Sequence, residues 1–399
     1  MSLTSRNYWI KGDRVLWCII ALLAIFSFLP VFSASSNLAY VIGKGTPIGY
    51  LIKHFVIMSF GFLLLFAVHK IPYTYFKGIS VLMMPVVFIL LIYTATQGNA
   101  ISGANANRWI EIPIIGFSFQ TSTLASIILM IYVAHYMSKS NNSYLNFKNS
   151  FWLLWVPIVS IIMLIFPSNF STAAILFFMV MVLMFIGGYP SKYLICILGF
   201  GLVMVFVFFL SAKVFPEIIP NRIDTWTSRI ENFKSGKVDG NYQIERAKIA
   251  IATGGVYGQG AGKSVMKNFL PQSSSDFIYA IIVEEYGLIG GVILILLYVL
   301  LLFRIVVIVH KTSNLFGKLI VVGLGIPIVF QAFINIGVTL QLFPVTGQTL
   351  PLVSSGGTSA WMTFVALGVI LSVSSSIQNN NQDDIMNINN PLAILSEDK

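Results

Sequence analysis

From Val15 to Phe32 the chain carries no charged side chain, and runs of this kind recur along its whole length. An apolar stretch of about 20 residues is long enough to cross the hydrocarbon core of a bilayer as a helix, the form in which each backbone polar group is bonded internally. Such runs lie near 15–34, 48–67, 78–96, 119–137, 151–167, 171–188, 191–212, 276–304, 315–338 and 357–377. The expected fold is therefore all-α. It is a polytopic integral membrane protein of about ten transmembrane helices and a single domain over residues 1–399, with one long outward loop at about 213–275 and a disordered tail at about 378–399. A composition with 57% hydrophobic and only 10% charged residues excludes an ordinary soluble domain. Cys18 and Cys196 lie inside apolar runs, where a disulfide framework is implausible. Ser33-Ala34-Ser35-Ser36 faintly resembles a signal-peptide cleavage site, but the run before it is longer than an h-region and many spans follow, so an uncleaved first helix is expected.

Charge sets the orientation. The short connections on one side hold Arg6, Lys11, Arg14, Lys70, Lys77, Lys139, Lys148, Lys192, Arg304, Lys311 and Lys318, whereas those on the other hold little beyond Lys44 and Arg108. By the positive-inside rule both termini are cytoplasmic and residues 213–275 are outside. The net charge of +10 is dispersed among loops, which favours anionic lipid or an anionic substrate over nucleic acid. The outer loop is itself basic, with Lys213, Arg222, Arg229, Lys234, Lys237, Arg246, Lys248, Lys263 and Lys267. That excess fits either a solvated loop or a groove for phosphate and carboxylate groups. Within it, Asn241 to Thr253 has Ile244, Ala247, Ile251 and Ala252 at helical spacing, which predicts a short amphipathic helix on the membrane surface.

Three stretches on the outer side carry the chemistry. The first begins Gly254-Gly255-Val256-Tyr257-Gly258-Gln259-Gly260-Ala261-Gly262-Lys263-Ser264 and runs through Lys267, Asp276, Glu284 and Glu285. Its glycines permit positive φ and close approach to a ligand. It matches neither a P-loop nor GxGxxG, since Tyr257 and Lys263 occupy positions that those motifs reserve for glycine. The loop is read either as a tight connection against a helix or as a phosphate site served by Lys263, Ser264 and Lys267. Asp276, after Ser273-Ser274-Ser275, is either a helix N-cap or a functional carboxylate. Glu284 and Glu285 lie deep enough in an apolar run to require a partner or a polar cavity. The second stretch is Asn107-Arg108-Trp109-Ile110-Glu111 with Phe119-Gln120-Thr121-Ser122, in which Arg beside Trp is either an interfacial anchor or part of a site. The third runs from Asn335-Ile336-Gly337 through Pro344-Val345-Thr346-Gly347-Gln348-Thr349-Leu350-Pro351 to Ser354-Ser355-Gly356-Gly357-Thr358-Ser359, an irregular backbone of the kind tolerated where protein or a cavity surrounds it.

These motifs resemble the SEDS family, the FtsW and RodA type of polytopic peptidoglycan glycosyltransferase. The resemblance rests on Arg108-Trp109-Ile110 with Phe119-Gln120-Thr121-Ser122, on Gly258 to Gly290, and on Asn335 to Ser359. The alternation Gly258, Gly260, Gly262, Ser264 with Lys267 is more similar to the division branch, FtsW. The resemblance implies that the chain polymerises lipid II into glycan strands at the outer face of the bacterial cytoplasmic membrane, for septal wall synthesis. It implies Asp276 as the catalytic carboxylate. Around it, Lys53, Arg108, Trp109, Gln120, Ser122, Gly260, Lys263, Ser264, Lys267, Thr346, Pro351, Ser354 and Gly356 would bind substrate, with Glu284 and Glu285 as structural or functional carboxylates. A divalent cation, Mg2+ or Mn2+, is the cofactor considered. The implied partners are a class B penicillin-binding transpeptidase and other membrane proteins of the division machinery. Where the family has Pro-Ser-Glu and a following Lys, this chain has Thr121-Ser122-Thr123 and Ser126; where it has Pro-Asp-x-Gly, this chain has Pro167-Ser168-Asn169-Phe170; and Gln272 replaces a Glu. An acid and a base missing together fits loss of an ion pair as a unit. A lipid II flippase and a non-catalytic scaffold of the division machinery are the alternative readings.

Overall fold

The computed structural model describes residues 11–40, 46–97, 109–112, 117–139, 146–214, 229, 233 and 242–388. Its helices are α1 (Arg14–Tyr40), α2 (Pro47–His69), α3 (Phe76–Gln97), α4 (Thr121–Lys139), α5 (Phe147–Ile165), α6 (Phe170–Ile186), α7 (Ser191–Val214), α8 (Tyr242–Gly254), α9 (Ile278–Lys311), α10 (Leu315–Thr339) and α11 (Thr358–Ile388). Among the described residues nine helices are long and apolar enough to span a membrane, and the apolar α6, of 17 residues, is the expected tenth. The chain is a polytopic membrane protein. Helix starts follow local chemistry: Thr46 accepts from the Gly49 N–H before Pro47, Asn169 from Thr172, and Asn314 from Phe316.

The expected all-α fold holds, with one short hairpin added to it: β1 (Trp109–Ile112) and β2 (Phe117–Gln120) pair antiparallel with Trp109 opposite Gln120. Two expectations need correction. The chain from Gln378 is not disordered at its start, since α11 runs on to Ile388. A helix already nucleated by a span propagates at low cost, and the Gln378 side chain both accepts from the Gly12 N–H and donates to the Gly12 carbonyl. Finally, the apolar face of α8 is covered by protein: Ala247 and Ala250 pack with Leu270, Phe277, Ala280, Ile281 and Val338.

The Gly12–Gln378 pair and the Asp13–Arg304 ion pair bring the start of α1, the later turns of α9 and the end of the last span to one end of the bundle. The hairpin, α8, the glycine loop and the 344–357 segment gather at the other. α1 continues unbroken through Ser33–Ser36, and Ser33 and Ser35 are buried within the bundle. The core lies between α1, α4, α9, α10 and α11, with Tyr298, Phe316 and Phe364 among its largest fully buried side chains.

Candidate active site

At Gly287 α9 breaks, with φ 69° and ψ −172° inside an otherwise regular helix. A break at membrane depth frees backbone groups that have no water to turn to, so something must re-satisfy them. The glycine loop does so by direct exchange. The carbonyls of Glu284 and Glu285, which an intact helix would offer to Leu288 and Ile289, accept instead from the N–H groups of Gln259 (2.9 Å) and Gly260 (3.0 Å). The released N–H groups of Leu288 and Ile289 donate to the carbonyls of Gly255 (2.9 Å) and Val256 (3.3 Å). The approach leaves no room for side chains: a Cβ on Gly258 would stand 2.2 Å from the Glu285 oxygen, and one on Gly287 would stand 2.1 Å from the Val256 oxygen. Gly260, expected to bind substrate, therefore spends its N–H on α9.

The two buried glutamates hold the rest of this loop. Glu284 accepts from the Ser264 hydroxyl and from the N–H groups of Val265 (2.9 Å) and Met266 (3.2 Å). Glu285 accepts from the Ser33 hydroxyl of α1 and, at 3.4 Å, from the Ser264 N–H. Lys267 donates to Ser33 at 3.1 Å and to the Gly262 carbonyl at 2.8 Å. Ser264 is buried and also accepts from the Lys267 N–H, so its expected role as a phosphate donor is replaced by one in building the loop. Lys263 is exposed on the loop surface. Ser33 carries no site signal in the sequence, where its small-residue run reads only as the end of an uncleaved first helix.

Asp276 stands one residue before the N-cap of α9, a place taken by Phe277, whose side chain makes no capping bond. The carboxylate is partly exposed, and its backbone is clamped from two directions. From α10, the Asn335 amide donates to the Asp276 carbonyl at 2.7 Å and to the Gln348 carbonyl at 2.6 Å. From the 344–357 segment, the Ser354 hydroxyl donates to the Ser275 carbonyl at 2.6 Å, and the Ser355 N–H to the Ser274 carbonyl at 2.9 Å. The same Ser354 hydroxyl accepts from the Leu350 N–H, and Tyr298 of α9 donates to the Pro351 carbonyl at 2.5 Å. Ser354 and Pro351, expected at the substrate, are thus buried staples. Thr346 and Gly356 are partly exposed on this segment, and Gly347 passes so close to Asp276 that a Cβ there would lie 3.6 Å from the carboxylate Oδ2.

The hairpin joins the same assembly through Thr358, which donates to the Ser118 carbonyl at 2.9 Å and accepts weakly, at 3.4 Å, from the Gln120 N–H. Trp109 and Gln120, both partly exposed, are cross-strand partners, whereas Arg108 lies outside the described residues. Lys53 is exposed in the second turn of α2, and Ser122 is buried at the start of α4. Ser122 lines, with Thr94, Thr121 and Ser168, a cavity between α3, α4 and α5 with room for about one water. That cavity is lined by hydroxyls and apolar groups alone.

Arg229, which the sequence offered only as one cation among many, reaches this site: its guanidinium donates to the Val345 carbonyl at 3.1 Å and interacts electrostatically with Asp276. Burial lowers its pKa, and the Asp276 charge acts in the opposite direction. Among the described residues no three His, Cys, Asp or Glu side chains converge on a metal position. A cation shared with substrate phosphates needs one or two carboxylates, and the described site supplies Asp276 for that purpose.

The family model for cell cycle proteins of the FtsW, RodA and SpoVE type matches residues 13–379, nearly the whole chain. The chain belongs to the FtsW/RodA/SpoVE family. The probable peptidoglycan glycosyltransferase FtsW of Hydrogenovibrio crunogenus is 31% identical over 374 residues, 92% of this chain and 91% of that protein. Stage V sporulation protein E of Bacillus subtilis is 30% identical over 328 residues, 81% and 86% of the two chains. Two solved structures share the fold: RodA of Thermus thermophilus, at TM-score 0.64 and 24% identity over 92% of this chain and 97% of that one, and a component of a peptidoglycan synthase complex that coordinates polymerization and crosslinking, at TM-score 0.72 and 23% identity over 92% and 99%. The chain is thus an FtsW-like member of that family.

Proposed function

We infer that this protein is an inverting peptidoglycan glycosyltransferase that polymerises lipid II at the outer face of the bacterial cytoplasmic membrane. The observation that carries the reading is the placement of Asp276: a partly exposed carboxylate, not used as a helix cap, clamped where the outer end of α9 meets the 344–357 segment. Membership in a family whose relatives are named peptidoglycan glycosyltransferases supports it.

In the reaction the 4-hydroxyl of an acceptor GlcNAc attacks the anomeric carbon of a MurNAc bearing undecaprenyl diphosphate. The new C–O bond forms as the bond to the diphosphate oxygen breaks, with inversion. The hydroxyl proton passes to Asp276 acting as general base, a role worth about 10²–10⁴ in rate. The diphosphate, which carries two negative charges while bound to the sugar, takes the bonding pair and gains a third as it leaves, and positive groups directed at that developing charge lower the barrier. Lys263 on the glycine loop and Arg108 ahead of the hairpin serve the diphosphate. Lys267, bonded to Ser33 and Gly262, fixes the loop that presents Lys263. A class B penicillin-binding transpeptidase with one membrane span is the proposed partner, and the division septum the proposed site of action.

The test is purified protein with that partner and labelled lipid II, read by gel separation of glycan strands. Strand formation that is lost with Asp276→Asn is expected. Failure to form strands, with lipid II instead crossing a vesicle membrane, would replace this reading by a flippase.

A further inference from the structure

We propose that residues 255–257 of the glycine loop form a lipid-contact site: the turn rests on phospholipids of the outer leaflet, with Val256 at the edge of the hydrocarbon and Tyr257 among the headgroups. The contact itself does not rest on the glycosyltransferase reading.

The exposure of α9 marks where the bilayer begins. From Ile278 to Glu285 every residue of this helix is buried in protein. Leu288, 50% exposed, opens an apolar strip that continues through Ile289, Val292, Ile293 and Leu296, and such a strip on a spanning helix faces acyl chains. From Leu288 to Ile308 the helix rises about 30 Å at about 1.5 Å per residue, the thickness of a bilayer's hydrocarbon. Beyond that stretch His310 and Lys311 are exposed, and Arg304, one turn within it, is paired with Asp13. The outer edge of the hydrocarbon therefore lies level with Leu288.

The glycine loop is bonded to α9 at this level. The Leu288 N–H donates to the Gly255 carbonyl and the Ile289 N–H to the Val256 carbonyl, which sets the turn beside the first lipid-facing residues. Val256 and Tyr257 are 53% and 84% exposed, and a Cβ added to Gly255 would meet nothing within 4 Å. The turn thus continues a surface that already faces lipid. Tyrosine suits the headgroup level, where its ring meets apolar groups and its hydroxyl meets water. Farther out by about 6 Å along α9, the Gly260 N–H bonds to the Glu285 carbonyl. There the exposed Lys263 lies alongside, since a Cβ on Gly260 would stand 3.4 Å from its Cδ and 3.9 Å from its Nζ. Outward from the membrane, an apolar pair is followed by a cation, the order in which hydrocarbon gives way to lipid phosphate. The sequence pointed to Asn241 to Thr253 as the element on the membrane surface; protein covers its apolar face, and the contact passes to the turn that follows. Under the glycosyltransferase reading, a diphosphate carried on a lipid lies level with Lys263 and reaches the loop by moving within the leaflet.

The test places an environment-sensitive fluorophore on Val256→Cys, Leu296→Cys or Lys248→Cys, each in the full-length protein lacking Cys18 and Cys196 and held in phosphatidylcholine–phosphatidylglycerol nanodiscs. Quenchers are phospholipids with a nitroxide near the glycerol or at mid-chain, and aqueous iodide. Leu296→Cys should respond most to the mid-chain nitroxide and Lys248→Cys to iodide. Val256→Cys is expected to respond to the glycerol-level nitroxide about twofold more than to the mid-chain one, and to iodide about threefold less than Lys248→Cys. A Val256→Cys label quenched by iodide as fully as Lys248→Cys, and by neither lipid, overturns the proposal. Lipid quenching that disappears when the transpeptidase partner is added would make the turn a protein interface and likewise overturn it. If Val256→Cys does not fold, Tyr257→Cys decides: quenching by both the glycerol-level nitroxide and iodide is expected, because headgroups stay open to water-borne reagents, and quenching by iodide alone overturns the contact. Lipid quenching at Val256→Cys in a protein whose wild type makes no glycan strands would uphold the contact and remove only the glycosyltransferase reading.

Discussion

The side-chain amide of Asn335 donates both to the Asp276 carbonyl, at 2.7 Å, and to the Gln348 carbonyl, at 2.6 Å. One amide nitrogen on α10 thereby sets the spacing between the residue assigned as base and the segment that runs beside it. Asn335 is 2% exposed, and removing it would leave two buried or half-buried carbonyls without a donor. An unmade buried hydrogen bond costs about 1–3 kcal/mol. Asn335→Ala is therefore expected to lower thermal stability in detergent measurably and to reduce strand formation, and Asn335→Asp, which sets acceptor oxygens without a donor against the same two carbonyls, to do so at least as strongly. Equal activity of Asn335→Ala and wild type would show that the clamp is dispensable.

Asp276→Asn separates chemistry from structure. The helix begins after Phe277 without a side-chain capping bond, so the stability loss of about 0.5–2 kcal/mol that accompanies a lost cap is not expected. Loss of a general base lowers the rate by about 10²–10⁴. A protein with wild-type unfolding temperature and no glycan strands is the expected result. Near-normal strand formation would end the assignment of Asp276 as base.

Gly287→Ala tests the backbone exchange between α9 and the glycine loop. A Cβ there meets the Val256 oxygen at 2.1 Å, and the residue's φ of 69° lies in the left-handed region. Left-handed backbone costs a non-glycine residue about 1–2 kcal/mol before any clash is counted. The variant should lose folded yield and expose residues 255–267 to limited proteolysis. Gly199→Ala, in α7 with nothing within 4 Å of the added carbon, is the control and should be neutral or slightly stabilising. Similar proteolysis of both variants would refute the exchange as the loop's anchor.

Orientation is testable by cysteine labelling in a background lacking Cys18 and Cys196. Tyr257→Cys, at an 84% exposed position on the glycine loop, should react with an impermeant maleimide added to protoplasts. Ser313→Cys, exposed between α9 and α10, should react only after permeabilisation. The reverse pattern would put Asp276 on the cytoplasmic side, where strands of wall glycan are not made.

The sequence determined the spans, because membrane helices must be both apolar and long, and that requirement is written locally in every run from Val15 to the end of α11. It also showed the three outer motif groups, since Gly, Pro and hydroxyl residues between apolar runs have few other uses. Only the tertiary structure decided what each motif residue does. Ser264, Ser354 and Pro351 read as substrate contacts in one dimension and prove to be internal staples, because the carboxylate, the carbonyl and the hydroxyl that they respectively meet lie 20, 79 and 53 residues away. The break at Gly287 was illegible for the same reason: a glycine in an apolar run ordinarily continues a helix, and it departs from one here because a loop of matching glycines offers replacement hydrogen bonds. Arg229 carried no local signal at all. Its bond to the Val345 carbonyl, 116 residues away, is fixed by the path of the 344–357 segment, and a contact of that kind depends on distance in space, which a sequence does not record.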